Sequence, residues 1–107
     1  MLVSLGYKQA NHLRADKYLQ AKEKEYRLIN TIIDSASIHT DTLIGDNCMV
    51  GKNAIIDPYV EIGYNISINH GVIVGHYTVI KDHCFLAPGV ITNGSVTIEP
   101  YCFIGAG

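Results

Sequence analysis

Every sixth residue from Ile38 onward is apolar: Ile38, Ile44, Val50, Ile56, Ile62, Ile68, Val74, Ile80, Leu86, Thr92, Ile98 and Ile104, with only Thr92 interrupting the aliphatic series. The column two residues earlier holds small or medium side chains (Ala36, Thr42, Cys48, Ala54, Val60, Ile66, Val72, Thr78, Cys84, Val90, Val96, Cys102). The column one residue later is rich in Gly, Asn and Asp, which tolerate turn conformations. A period of six does not suit an α-helix, whose apolar face recurs every three to four residues. It suits a short strand and a tight turn, repeated. Three hexads close a triangular coil of 18 residues, so residues 36–107 predict four coils of a parallel β-helix. At ~4.8 Å between neighbouring strands the prism stands roughly 19 Å tall. The pattern carries no hexad insertion and says nothing of hand.

Residues 1–35 lack the hexad. Met1–Leu5 is a short apolar run, the stretch from Asn11 to Tyr26 reads as an amphipathic helix, and Leu28–Ile33 is a second apolar, β-branched run. For the helix, Leu13, Tyr18 or Leu19, Ala21 and Tyr26 form the expected inner side and Asn11 the N-cap. Strand, helix and strand in succession predict a βαβ segment over 1–35. Such a unit is too small to stand alone, so it packs on the first coil, on a partner, or belongs to a larger α/β domain.

Composition narrows the picture. Net charge is -2 and the pI about 6.2, which gives no reason to expect a nucleic acid or an anionic membrane as partner. Six of the eight Lys and Arg residues fall in 1–35, in keeping with two differently built segments. No apolar run approaches the ~18 residues of a membrane span, and no export signal is recognisable. Three cysteines without such a signal suggest reduced thiols and a cytoplasmic protein. Cys48, Cys84 and Cys102 fall, with Ile66, in one column of the 18-residue repeat and read as small core filler.

A regular β-helix is mostly scaffold, so chemistry should come from residues that depart from the repeat. Asn69-His70-Gly71-Val72-Ile73-Val74-Gly75-His76 places two histidines one hexad apart at outward positions, with Tyr77 and Phe85 nearby and His83 beside Asp82. One outward histidine is ordinarily a solvated surface residue. Two in register beside Asn69 suggest a site, because an imidazole is suited to take a proton from an amine or hydroxyl near neutral pH. A metal site needs three ligands. His70 and His76 lie on faces rotated by about a third of a turn, and His39 is coil-equivalent to neither.

The hexads together with the Asn69–His76 segment resemble the sugar O-acyltransferase family of left-handed β-helix enzymes, which includes acetyltransferases of nucleotide-linked 4-amino sugars and sialic acid O-acetyltransferase-like proteins. The resemblance runs along the whole chain: Leu5-Gly6-Tyr7, Asn11 and Arg14 are similar to the end of that family's Rossmann-like sugar-nucleotide domain, and Phe103-Ile104-Gly105-Ala106 to its cofactor-contacting stretch. It implies a left-handed prism, acetyl-CoA as co-substrate, no resident metal, a sugar or sugar nucleotide as acceptor, and a homotrimer with sites between adjacent prisms. It further implies His76 as general base, Asn69, His70 and Tyr77 facing the acceptor, and Phe85, Gly94 and Ala106 contacting the cofactor. The chain departs from the family in having Tyr77 where an acidic residue follows the histidine, and Phe85 where a later cofactor-contacting histidine stands. It also lacks the Gly-rich opening strand and the capping coils, which suggests a fragment or a naturally short relative. Two other functions share the fold: a non-catalytic trimeric scaffold, and a metal-dependent hydratase of the γ-carbonic-anhydrase type.

Overall fold

The structure, a computed structural model, describes residues 7–24 and 28–106. One helix, α1 (Tyr7–Glu23), precedes two-residue strands that recur at each hexad. The first face of the prism comprises β1 (Thr31–Ile32), β4 (Met49–Val50), β7 (Ser67–Ile68), β10 (Phe85–Leu86) and β13 (Phe103–Ile104). The second comprises β2 (Ser37–Ile38), β5 (Ile55–Ile56), β8 (Ile73–Val74) and β11 (Ile91–Thr92). The third comprises β3 (Leu43–Ile44), β6 (Glu61–Ile62), β9 (Val79–Ile80) and β12 (Thr97–Ile98). Every strand pairs in parallel with the residue 18 positions away, as Ile68 does with Leu86. The expected parallel β-helix of four coils is therefore present.

The second residue of each strand points inward. Val50, Ile68, Leu86 and Val74 have no exposed surface, and they join Cys48, Ile66, Val72 and Cys84 from the preceding column in one continuous core. The polar interruptions are satisfied locally: Thr92 Oγ1 accepts the Gly75 amide at 3.1 Å, and buried Thr78 donates to the Asn93 carbonyl at 3.1 Å. Cys48 and Cys84 are free, buried thiols that donate to the Gly63 and Glu99 carbonyls, and burial pushes both up to about 11. They are core filler.

The turns put Asn47, Asn53, Asn65 and Ser95 at positive φ, and with them four bulkier residues, Tyr59, Tyr77, His83 and Tyr101. For a residue with a bulky side chain that region costs roughly 1–2 kcal/mol, less for Asn. Coils also approach closely at the turn starts. A Cβ on Gly75 would lie 2.6 Å from the carbonyl carbon of Asn93, so only glycine fits there.

The first third differs from its expectation. The run at 28–33, expected to close a βαβ unit, supplies β1, which pairs with β4 and extends the β-helix by one hexad. The polar residue Asn30 occupies the place of a small column residue, and its Oδ1 accepts the Cys48 amide at 2.8 Å. No βαβ unit forms among the described residues; Met1–Leu5, the expected opening strand, and Tyr26 lie outside them. The helix begins at Tyr7, so Asn11 sits in its second turn and caps nothing.

Helix α1 lies along the prism and is fixed mainly by polar contacts. Asn11, fully buried, donates to the carbonyls of Tyr101 (3.1 Å) and Cys102 (2.9 Å). Arg14 donates to the Asn65 carbonyl at 3.1 Å, Tyr18 to Asp46 at 2.7 Å, and Lys22 pairs with Asp46. The helix thus descends about three coils between Asn11 and Lys22. At ~1.5 Å per helical residue and ~4.8 Å per coil the eleven-residue span matches the descent, and the spacing of three to four residues between anchors keeps them on one side of the helix. Leu13 and Leu19, expected inside, are 42% and 51% exposed. Among the described residues no helix is long and apolar enough to cross a membrane.

Candidate active site

Each corner of the prism carries a histidine, His39 sharing the corner between second and third faces with His76, and the environments differ. His83, at the turn from third to first face, is 7% exposed beneath α1. Its Nδ1 lies 3.0 Å from Asn65 Nδ2, and Asn65 Oδ1 in turn accepts from Asn47, so the Asn65 amide donates to an unprotonated Nδ1. Tyr18 meets the ring edge-on and Tyr101 packs at 4.9 Å. Burial lowers its affinity for a proton, Asp82 beside it acts in the opposite sense, and Arg14 lowers it again. Asp46 is pushed up by burial, yet the hydrogen bonds from Lys22 and Tyr18 outweigh this and hold it below its usual range. This corner is a clasp for the helix.

An acid sensitivity follows from the clasp. An unfolded histidine takes up a proton near pH 6.5, whereas folded His83 resists it. The unfolded state then binds more protons, and stability falls as pH drops through about 6.5. The Asp46 contribution persists above about pH 3.9 and is lost only below that, as pH falls through its depressed folded value. Urea midpoints should drop between pH 7.5 and 5.5 in the wild type and much less in His83→Gln. An equal drop in the variant would show that other groups carry it.

His76 stands at the turn from second to third face, exposed, and among the described residues neither imidazole nitrogen has a hydrogen-bond partner. Its coil-equivalent 18 residues on is Gly94, and the ring lies over that glycine: a Cβ there would come within 2.7 Å of both Cε1 and Nε2. Glycine at 94 makes the space for the ring. Tyr77 meets His76 edge-on, with centroids 5.7 Å apart and planes at 82°. Tyr59, one coil back, stacks on Tyr77 at 5.3 Å and 13°.

The remaining expected site residues are distributed elsewhere. Asn69 and His70 occupy the corner between first and second faces; the Asn69 amide is engaged with the Leu86 carbonyl at 2.7 Å, while His70 is exposed. Ala106, two coils on from His70, lies exposed at the same corner. Phe85 is 9% exposed on the first face, stacked on Phe103 at 4.8 Å, with the Arg14 guanidinium 5.7 Å over its ring. A cofactor could reach the Phe85 ring only by displacing α1. The chain therefore brings His76, Tyr77 and Gly94 together at one corner flanking the second face, and places Asn69 and His70 at the other, with Ala106 two coils further along it. That face presents Ile55, Ile73 and Ile91, with Ile55 and Ile91 substantially exposed.

Sequence reading overlooked Tyr59 and the contact of His76 with Gly94; the 18-residue offsets 59/77 and 76/94 were the signal for both. A groove of about 500 Å³ runs along the third face past Leu43, Glu61, Tyr64 and Asp82, and one of about 300 Å³ lies by His39 and Asp57. His76 lines neither. Among the described residues no three His, Cys, Asp or Glu side chains are grouped to hold a metal ion.

Residues 42–76 match the family model described as hexapeptide repeat of succinyl-transferase. No curated protein matches the chain. Among solved structures it is similar to a His-to-Asn mutant of perosamine N-acetyltransferase from Caulobacter crescentus in complex with CoA and GDP-perosamine, at 18% identity and a TM-score of 0.56, covering 90% of this chain and 51% of that one. A His-to-Ala mutant of the same enzyme, with the same ligands, gives 18% identity over 90% of this chain and 57% of that one, with a TM-score of 0.33. PerB from the same organism gives 16% over 89% and 60%, also at 0.33. The chain spans about half the length of these proteins. Repeat and fold are thus those of a β-helix architecture used by hexapeptide-repeat transferases.

Proposed function

We propose that the chain is the β-helical part of an acetyl-CoA-dependent acetyltransferase acting on a nucleotide-linked sugar amine or hydroxyl, with His76 as general base. The observation that supports it most directly is His76 itself: an exposed imidazole with both nitrogens open, seated over a glycine, on a fold shared with a perosamine N-acetyltransferase. Nε2 would take the proton of the acceptor as its nitrogen or oxygen attacks the thioester carbonyl. A new C–N or C–O bond forms, the C–S bond breaks, and the departing thiolate recovers the proton from the imidazolium. His76 is exposed and lines neither groove, so on this reading a second surface closes the site. A trimer meeting across the second face would provide it, joining the His76 corner of one prism to the His70 and Ala106 corner of the next. Residues 1–35 would on this reading form the end of a sugar-nucleotide domain, and the buried thiols suit the reducing cytoplasm.

Release of CoA thiol, measured with acetyl-CoA and a panel of nucleotide-linked amino sugars, tests the reading; turnover requiring both substrates is expected. A second reading, a scaffold without activity, is favoured by Tyr77 at the place where the resemblance has an acid. Absence of both turnover and CoA binding by calorimetry would select it.

A further inference from the structure

Tyr77 holds a conformation that its residue type disfavours, at φ 59°, as do Tyr59 at 60°, His83 at 65° and Tyr101 at 65°. Two of these have an evident reason. Tyr101 is stacked under His12 at 4.6 Å, and His83 is packed against Tyr18 and Asn65, so both hold the helix. Tyr59 and Tyr77 stand at the corner between second and third faces. They are 53% and 59% exposed and stack on each other, with Tyr77 also edge-on to His76, although asparagine, used at the equivalent turn positions 47, 53 and 65, would fit that backbone at less cost. A disfavoured conformation kept on an exposed ring that meets His76 points to a use.

The geometry indicates which use. Successive coils are offset by ~4.8 Å along the prism axis. Two nearly parallel rings whose centroids are 5.3 Å apart, one coil from the next, form an offset stack that climbs the prism. One face of Tyr77 is covered by Tyr59; the other looks toward the next coil, where the column continues as exposed Ser95. The aromatic ladder stops one rung short. The open rung is bounded on one side by the His76 ring, which leans over Gly94 and stands perpendicular to Tyr77.

We propose that this open rung is the acceptor subsite: a pyranose ring lays its C–H face on Tyr77 above Ser95 and presents an equatorial amine or hydroxyl at its rim to His76. The inference rests on the acetyltransferase reading and names Tyr77 as a positioning residue for it. A sugar ring suits the slot because its apolar face covers an aromatic face while its polar groups project sideways, toward the perpendicular imidazole.

Three variants of the whole chain test the subsite. Tyr77→Phe keeps the ring and should keep the KM for the acceptor within about twofold. Tyr77→Asn removes the ring while suiting the backbone, so it should fold with an unchanged or higher Tm yet raise the acceptor KM about tenfold or more, leaving the KM for acetyl-CoA unaltered. Ser95→Phe fills the rung and should raise the acceptor KM likewise, at a somewhat lower Tm because position 95 stands at φ 60°. Saturation-transfer NMR with a methyl 4-aminopyranoside supplies a readout independent of turnover: signal on the ring protons in wild type, lost in Tyr77→Asn and Ser95→Phe, and none on free guanosine. An active enzyme whose acceptor KM and saturation signal ignore Tyr77→Asn would overturn the subsite, as would signal on guanosine in place of the pyranoside. Tyr77-dependent pyranoside signal in a protein without turnover would uphold the subsite and reject the acetyltransferase reading.

Discussion

His76→Ala is expected to lower kcat for acetyl transfer at least about a hundredfold, with the KM for acetyl-CoA little changed and the Tm within a few degrees of wild type. The size follows from the role: without the imidazole an attacking ammonium or hydroxyl keeps its proton and is a poor nucleophile toward a thioester. The specificity follows from the placement. His76 is exposed and outside the apolar core, so truncating it leaves no cavity and no buried polar group without a partner. The loss should therefore appear in kcat and not in folding, which steady-state kinetics and a thermal melt measured together would show. A near-wild-type rate would remove His76 from the reaction and leave the β-helix as scaffold.

The β-helix was legible in the sequence because its repeat is one-dimensional. Each inward residue must match those 18 positions away, so Ile38 to Ile104 record the architecture directly, and the cysteines fall into place within it. A strand within 28–33 was legible, but its place in the β-helix was not, because Asn30 breaks the small-residue column; the Asn30 side chain accepts the Cys48 amide and makes the exception workable. The buried side of α1 escaped for a related reason. Of its anchors, Asn11, Arg14 and Lys22 are residues a hydrophobicity pattern assigns to solvent and Tyr18 alone falls on the expected inner side, while Leu13 and Leu19 turn out to be exposed. With the helix placed on the first face, Phe85 is covered, something no feature of its own hexad could reveal. At the His76 corner, by contrast, the partners Gly94 and Tyr59 are each one coil away, and knowledge of the period is enough to find them.

Leu86→Ala should cost about 2–5 kcal/mol, against the 5–15 kcal/mol that typically separates a folded domain from its unfolded state. Leu86 has no exposed surface and sits in register between Ile68 and Ile104, in a coil with neighbours on both sides. A solenoid contacts itself only through adjacent coils, so a cavity there weakens two interfaces together and has no more distant packing to draw on. For a domain of this size each kcal/mol corresponds to roughly 4–8 °C, so the Tm should fall by 10 °C or more. Ile38→Ala gives the internal comparison. Ile38 also points inward, but it lies in the first coil, is only partly buried and pairs on one side alone, with Ile56. Its loss should be less than half that of Leu86→Ala. Equal losses, read from melts or urea midpoints, would mean that stability is shared along the whole stack, and that the coil carrying His76 cannot loosen without the rest.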